Sequence, residues 1–192
     1  VSDLTLGKEL RATGKKEELH MVLVPIILIL LVLVWFIGQS NKLNRYVVSI
    51  EESKKTVDIT LVKRYDTVSE MLKVAKAYAK HEEKVFTELV GLRQGGSMKD
   101  TNQVIANQND ALSQIRAVAE NYPDLLSSEQ FLALQKEIAS ENEDLAAAKR
   151  IVNSNVRVIN QEIVSFPTSL VAGFKGMAKF DFLEEDLQGK RD

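Results

Sequence analysis

MVLVPIILILLVLVWFI, Met21 to Ile37, is an apolar run that nothing else in the chain approaches in length. No charge and no strongly polar residue interrupts it. As a helix rising about 1.5 Å per residue it would be roughly 26 Å long. That nearly matches the roughly 30 Å hydrocarbon core of a bilayer, and Gly38 with its flanks can complete the span. A helix apolar on every side has little core to hide in when 27% of the chain is charged. The segment is therefore expected to cross a lipid bilayer and to tether everything after it. A cleaved signal sequence is the competing reading. Its apolar region is usually about 7–15 residues and ends in an A-x-A-like site. Gly38-Gln39-Ser40 is a poor version of that site, and a helical pattern follows almost at once, so an uncleaved anchor is expected.

Working outward, Val1–His20 holds four Lys/Arg and four Asp/Glu without periodicity, and is expected to be a polar tail. Met21 stands at the edge of the apolar run and is the expected natural first residue. The choice matters for orientation, which follows the basic residues flanking a span. Lys42, Arg45, Lys54 and Lys55 come after it. Lys8, Arg11, Lys15 and Lys16 come before it if the tail belongs to the protein. Starting at Met21 puts every nearby basic residue on the C-terminal side and the domain in the cytoplasm; with the tail the rule is nearly balanced.

Four divisions follow: a tail at 1–20, a membrane helix at 21–38, a helical domain at 39–180 and a C-terminal tail at 181–192. The net charge of −2 is well mixed. It lacks the basic stripe with interleaved aromatics expected of a nucleic-acid binder, so no nucleic-acid partner is expected. The chain has no cysteine, which removes disulfides, thiol nucleophiles and most structural zinc sites. Three prolines and nine glycines among many Ala, Leu, Lys, Glu and Gln residues favour long helices.

From Leu43 onward apolar residues recur at near-heptad spacing. One row is Leu43, Ile50, Val57, Met71, Tyr78, Val85 and Leu92; its partner row is Val47, Leu61, Val68, Ala75 and Leu89. This is the pattern of a helix packed in a bundle. It predicts one helix from about Leu43 to Arg93, able to run on from the membrane helix, with Gly38 as the weak point and Gln94-Gly95-Gly96-Ser97 as the stop. Leu112, Ile115, Ala119 and Tyr122 predict a second helix over about Asn102–Asn121, stopped by Pro123. Ser127 or Ser128 then caps a third, with Ser127-x-x-Gln130 resembling a capping box. That helix, about Ser128–Phe166, carries Phe131, Leu134, Ile138, Leu145, Ala148, Val152, Val156, Ile159 and Ile163 on one face. Pro167 ends it, and Thr168 or Ser169 caps a short fourth helix to about Lys179. Asp181–Asp192 reads as a frayed tail. The expected architecture is all-α: an N-terminal transmembrane helix, then an up-and-down four-helix bundle with two long helices.

No catalytic, cofactor-binding or metal-ligating constellation stands out. His81-Glu82 lacks the second histidine of a zincin motif. Glu17-x-x-His20 has the spacing of a di-iron ligand pair but stands without partner carboxylates. No phosphate loop, dinucleotide fingerprint or nucleophile elbow occurs. The polar residues inside the apolar rows say more. Arg64 and Glu82 interrupt those of the first helix, Glu141 and Asn155 those of the third, and Asn153 and Asn160 lie seven apart on one face. Partial exposure would explain them. The sharper expectation is a structural polar layer of Arg64, Glu82, Glu141, Asn153 and Asn160, with Arg64 paired to Glu141 and fixing helix register.

These residues together resemble the LemA family. The resemblance lies in Ser40-Asn41-Lys42-Leu43, Lys63-Arg64-Tyr65-Asp66, Tyr78-Ala79-Lys80-His81-Glu82, and above all Ala119-Glu120-Asn121-Tyr122-Pro123-Asp124-Leu125. Phe131-x-x-Leu134-Gln135, Glu143, Lys149-Arg150, Asn153, Val156, Asn160 and Phe166-Pro167 follow in order, covering about Ser40 to Phe182. Two departures are packing changes. Val68-Ser69-Glu70 stands where the family usually has a proline, and Val152 and Ile159 stand where aromatics commonly precede the two asparagines. The resemblance implies a bacterial cell-membrane protein with one transmembrane helix, a short N-terminus outside and a cytoplasmic bundle. It supplies no catalytic residues, and its Tyr-Pro-Asp-Leu and Phe-Pro blocks read as helix stops. The expected role is a non-catalytic interaction or scaffold protein that meets a protein partner through its bundle. A metal-dependent sensor or enzyme using carboxylates between helices is the alternative, and homo-oligomerisation through exposed heptad positions a third possibility.

Overall fold

Seven-residue spacing of small and branched apolar side chains builds the first element. A computed structural model describes residues 2–79 and 97–184, with residues 2–18 as backbone only. Five helices occur among the described residues: α1 Ser2–Tyr78, α2 Met98–Glu120, α3 Pro123–Leu126, α4 Glu129–Val164 and α5 Thr168–Phe174. No strand occurs among them. α1 passes through Gly38 without a break and extends for 77 residues, about 115 Å at the standard rise. The expected irregular tail is instead helical from Ser2 onward. Its Leu, Lys, Glu, Arg and Ala residues are good helix formers, and Gly7 and Gly14 each oppose this by only about 1 kcal/mol. The expected end at Arg93 and the Gly95-Gly96 stop lie outside the described residues.

The heptad rows are buried where expected. Leu43, Ile50, Val57, Leu61, Val68, Met71 and Ala75 all face the core, whereas Tyr78 is exposed. α4 answers with Phe131, Ile138, Leu145, Ala148, Val152, Val156 and Ile159, and α2 with Val104, Ile105, Ala111, Leu112, Ile115 and Ala119. Fully burying a Leu, Ile or Phe side chain stabilises by roughly 1.5–3 kcal/mol, so these faces dominate the packing. Contacts fix the directions. Lys42 of α1 meets Glu162 of α4, and Thr67 meets Glu141, so the two run antiparallel. Arg64 meets Gln108, and Leu61 shares a cluster with Val104 and Ile105 while Val68 shares another with Ala111, so α2 runs the same way as α1.

Capping chemistry sets the boundaries. α2 begins a turn earlier than expected because Ser97 accepts a bond from the Asp100 N–H while Asp100 accepts from the Ser97 N–H at 2.8 Å. Both orphan donors are satisfied by this reciprocal box. Pro123 stops α2, yet it also opens α3 at the first helical position, where its missing N–H is no loss. Ser128, not Ser127, caps α4 by accepting from the Phe131 N–H. Neither Thr168 nor Ser169 caps α5. Pro167 takes that position without a side-chain bond, and Thr168 turns to donate to Gln39 Oε1 at 3.2 Å. α5 also stops short of Lys179. Gly176 adopts φ +64°, and the N–H groups of Gly176 and Met177 return to the carbonyls of Gly173 and Ala172. That pair of bonds is a Schellman ending, which glycine makes without steric cost.

Candidate functional site

Three features position polar or apolar chemistry where function could use it: a buried polar layer, a pinned C-terminal strap and the base of the bundle beside the apolar run. The polar layer divides the core in two. One apolar cluster ends at Leu61, Ile105 and Leu145, and the other begins at Val68, Ala111 and Ile138. Between them lie Arg64 at 2% exposure, Gln108 at 0%, Thr67 and Glu141. The expected Arg64–Glu141 ion pair does not form. Arg64 donates through Nη1 to Gln108 Oε1 at 3.2 Å and through Nη2 to Asn109 Oδ1. Glu141 Oε1 accepts from the Thr67 hydroxyl at 2.9 Å. Gln108 in turn donates to the Leu61 carbonyl at 3.1 Å. The planar guanidinium suits two side-by-side amide oxygens on α2, and Thr67, one turn beyond Arg64, is the nearer donor for the carboxylate.

Burial pushes the Glu141 carboxyl above its usual range. The Thr67 bond opposes that rise, Glu137 one turn away adds to it, and Arg64 and Lys63 pull it back. Glu141 Oε2 is buried and has no hydrogen-bond partner among the described residues. Arg64 and Glu141 thus share a layer and feel each other's charge while bonding to different residues. The layer links α1 to α2 by one route and α1 to α4 by another. Sequence reading missed Thr67, Gln108 and Asn109. Gln108 was findable, because it interrupts the apolar series Ile105, Leu112, Ile115 on its own helix. Glu82 lies outside the described residues.

Asn153 and Asn160 belong elsewhere. Asn153 Nδ2 donates to the Leu183 carbonyl at 2.8 Å, and its Oδ1 accepts from the Leu183 N–H at 2.9 Å. Asn160 grips Phe180 the same way, at 2.9 and 2.8 Å. Asn102 of α2 accepts from the Glu184 N–H at 3.0 Å. Each primary amide carries a donor and an acceptor side by side and so mimics a strand neighbour. Residues 177–184 are therefore a strap laid along α4, with Leu183 at 1% exposure and Met177 and Phe180 against the same cluster. Up to Glu184 the expected frayed tail is corrected to this pinned segment. Asn155 donates instead to the Ser49 carbonyl and to Ser53 Oγ, both at 3.1 Å, and ties α4 to α1.

The base surrounds residues 36–46. Lys42 Nζ lies 2.7 Å from Glu162 Oε1 and 5.9 Å from the centre of the Tyr46 ring. The hydrogen bond to Glu162 is the chief cause of its raised pKa. Lys175 reaches Ser40 Oγ at 3.2 Å and Asn44 Oδ1. An open depression along Asn41, Asn44, Arg45, Val48 and Ser49 is lined by α1 alone, so it does not enclose a small molecule as ligand clefts do. Glu141 is the one carboxylate in the core among the described residues, and no three His, Cys, Asp or Glu side chains there converge on a point.

Fold and base together define a helical bundle carried on an N-terminal apolar helix. That helix is long and apolar enough to cross a membrane, and its apolar window is wholly unburied by the rest of the protein. The chain belongs to the LemA family, whose signature matches residues 53–191. No curated protein matches it.

Proposed function

We propose that this LemA-family protein is a single-pass membrane-anchored interaction protein of the bacterial cell membrane, without catalytic activity of its own. Its apolar run Met21–Ile37 spans the bilayer and its bundle offers a helical surface to a protein partner. One observation carries the reading. The same unbroken helix is exposed on every side over Met21–Val34 and buried at every heptad from Leu43 to Met71, Arg64 bringing the polar layer into that row. An all-round apolar helix with none of the described residues packed around it supports a lipid environment, and a helix that continues into a core transmits that position to the whole bundle. Lys42, Arg45, Lys54 and Lys55 follow the span and Lys8, Arg11, Lys15 and Lys16 precede it, so the positive-inside rule is nearly balanced between the two sides. Confinement to one bilayer raises the effective concentration of partners in it. On the outer face of α4, Ile151 and Val158 are exposed and seven residues apart, the spacing that helix-on-helix contact uses.

Alkaline extraction of membranes holding the full chain tests the anchor, and in-membrane crosslinking at Ile151 read by mass spectrometry tests the partner. Retention in the membrane pellet and one reproducible crosslinked protein are expected. Release by alkali would overturn the anchor; crosslinks scattered without a preferred protein would overturn the interaction role.

A further inference from the structure

The outward side of α5 is apolar, which is the wrong way round for a helix on a water-exposed surface. Thr168, Val171 and Ala172 face the core, as they should. Yet Leu170 and Phe174, one turn apart on the helix, are 52% and 84% exposed, and Phe166 in the turn just before it is 80% exposed. Apolar groups gathered like this mark a contact rather than a chance surface. Their height in the molecule says with what. The Phe174 ring stands edge-on to the Phe36 ring, 6.1 Å between centroids at 72°. Phe36 is the penultimate residue of the apolar run. Phe174 therefore lies within 6.1 Å of whatever depth Phe36 occupies.

We infer that the Phe166–Phe174 segment is a second membrane contact, in which Phe166, Leu170 and Phe174 enter the headgroup–acyl boundary of the bilayer crossed by α1. The inference rests on the anchor reading above. The segment is held at that level from several sides. Thr168 is bonded to Gln39, Lys175 to Ser40 and Asn44, and the Schellman ending at Gly176 closes the helix. Lys175, the residue after Phe174, can keep its charge among headgroups while its stem lies on apolar surface. Short interfacial segments of this composition lie in the membrane plane with their apolar side about 5–10 Å deep. The bundle would then stand on its bilayer at two points, the crossing helix and this foot, and could not tilt freely about Gly38.

The absence of cysteine allows single nitroxide labels in the full chain. Leu30→Cys reports the span, Leu170→Cys the foot, and Lys136→Cys the distal, exposed part of α4. Each labelled protein is reconstituted in phosphatidylcholine–phosphatidylglycerol vesicles, and its collisions with oxygen and with a water-soluble nickel chelate are compared. Leu30 and Leu170 labels are expected to favour oxygen, Leu170 less deeply, and Lys136 to favour nickel. In a Phe166→Ser, Phe174→Ser background the Leu170 label is expected to lose its oxygen preference several-fold. A Leu170 label as nickel-accessible as Lys136, with Leu30 still in lipid, overturns the foot and leaves the anchor standing. Shielding of Leu170 from both probes would mean that protein covers the face, and also overturns it. A nickel-accessible Leu30 label overturns the anchor itself.

Discussion

Replacing Asn153 by alanine should detach the C-terminal strap while leaving the rest of the bundle folded. The wild-type amide makes two bonds to the Leu183 backbone, at 2.8 and 2.9 Å, and both are buried. Each such bond has a net value of about 0.5–1.5 kcal/mol, and leaving the Leu183 N–H and C=O buried without partners would cost about 1–3 kcal/mol apiece. The strap can escape the larger penalty by peeling off and finding water, at the expense of Leu183 burial, itself worth roughly 1.5–3 kcal/mol. Local opening should therefore become easier by about 2–3 kcal/mol, or roughly 30- to 150-fold in the opening constant. Amide hydrogen exchange of Leu183 and Phe180, followed by mass spectrometry or NMR, reads this directly. Amides around Val68 and Ile138 should not change, because they belong to the other apolar cluster. Adding Asn160→Ala should add much less than its single effect, since both asparagines grip one segment and share its opening. Leu183 exchange that stays within a factor of about two of wild type, in a protein that is otherwise folded, would refute the clamp.

The polar layer gives two further expectations. Arg64→Ala should destabilise by about 1–3 kcal/mol in urea unfolding, because the buried Gln108 Oε1 loses its charged donor; a loss below about 0.5 kcal/mol would show that the Arg64 bonds add nothing to stability. The raised Glu141 pKa means the folded state holds that proton more tightly than the unfolded chain, so its contribution is fully present below the unfolded value of 4.5 and is lost as pH rises through the higher folded value. Glu141→Gln should flatten that part of the pH–stability profile and leave neutral stability equal or higher, and an unchanged profile would assign the slope to other groups. At the start of α2, Ser97→Ala should cost about 1 kcal/mol, readable as a lower urea midpoint. The capping bonds hold the Asp100 carboxyl below its usual range, so what they add is present above the unfolded value and falls away as acid protonates Asp100.

Periodicity made the apolar skeleton legible. The run Met21–Ile37, the heptad rows and the α4 face need only spacing to be seen, and Pro123 and Pro167 mark stops by covalent geometry alone. Partners across helices are a different matter. That Arg64 interrupts a row was visible, but its choice of Gln108 and Asn109 over Glu141 depends on the azimuth of α2, which no local pattern states. Asn153 and Asn160 were visible as a pair, while the object they hold has no period of its own. Residues 177–184 are fixed by backbone bonds to side chains, so their order leaves no trace in hydropathy. Thr168 looked like a cap for the sound reason that threonine often is one, and Gln39, 129 positions earlier in sequence, claimed its hydroxyl instead.

The unbroken passage of α1 through Gly38 couples azimuth to sequence length. One residue inserted between Ile37 and Gly38 would turn everything beyond it by about 100° about the helix axis and raise it about 1.5 Å. Three or four inserted residues would nearly restore the original heading one turn higher. The bundle therefore faces its surroundings in a direction set by a count of residues, much as a weathervane welded to its shaft is aimed by turning the shaft.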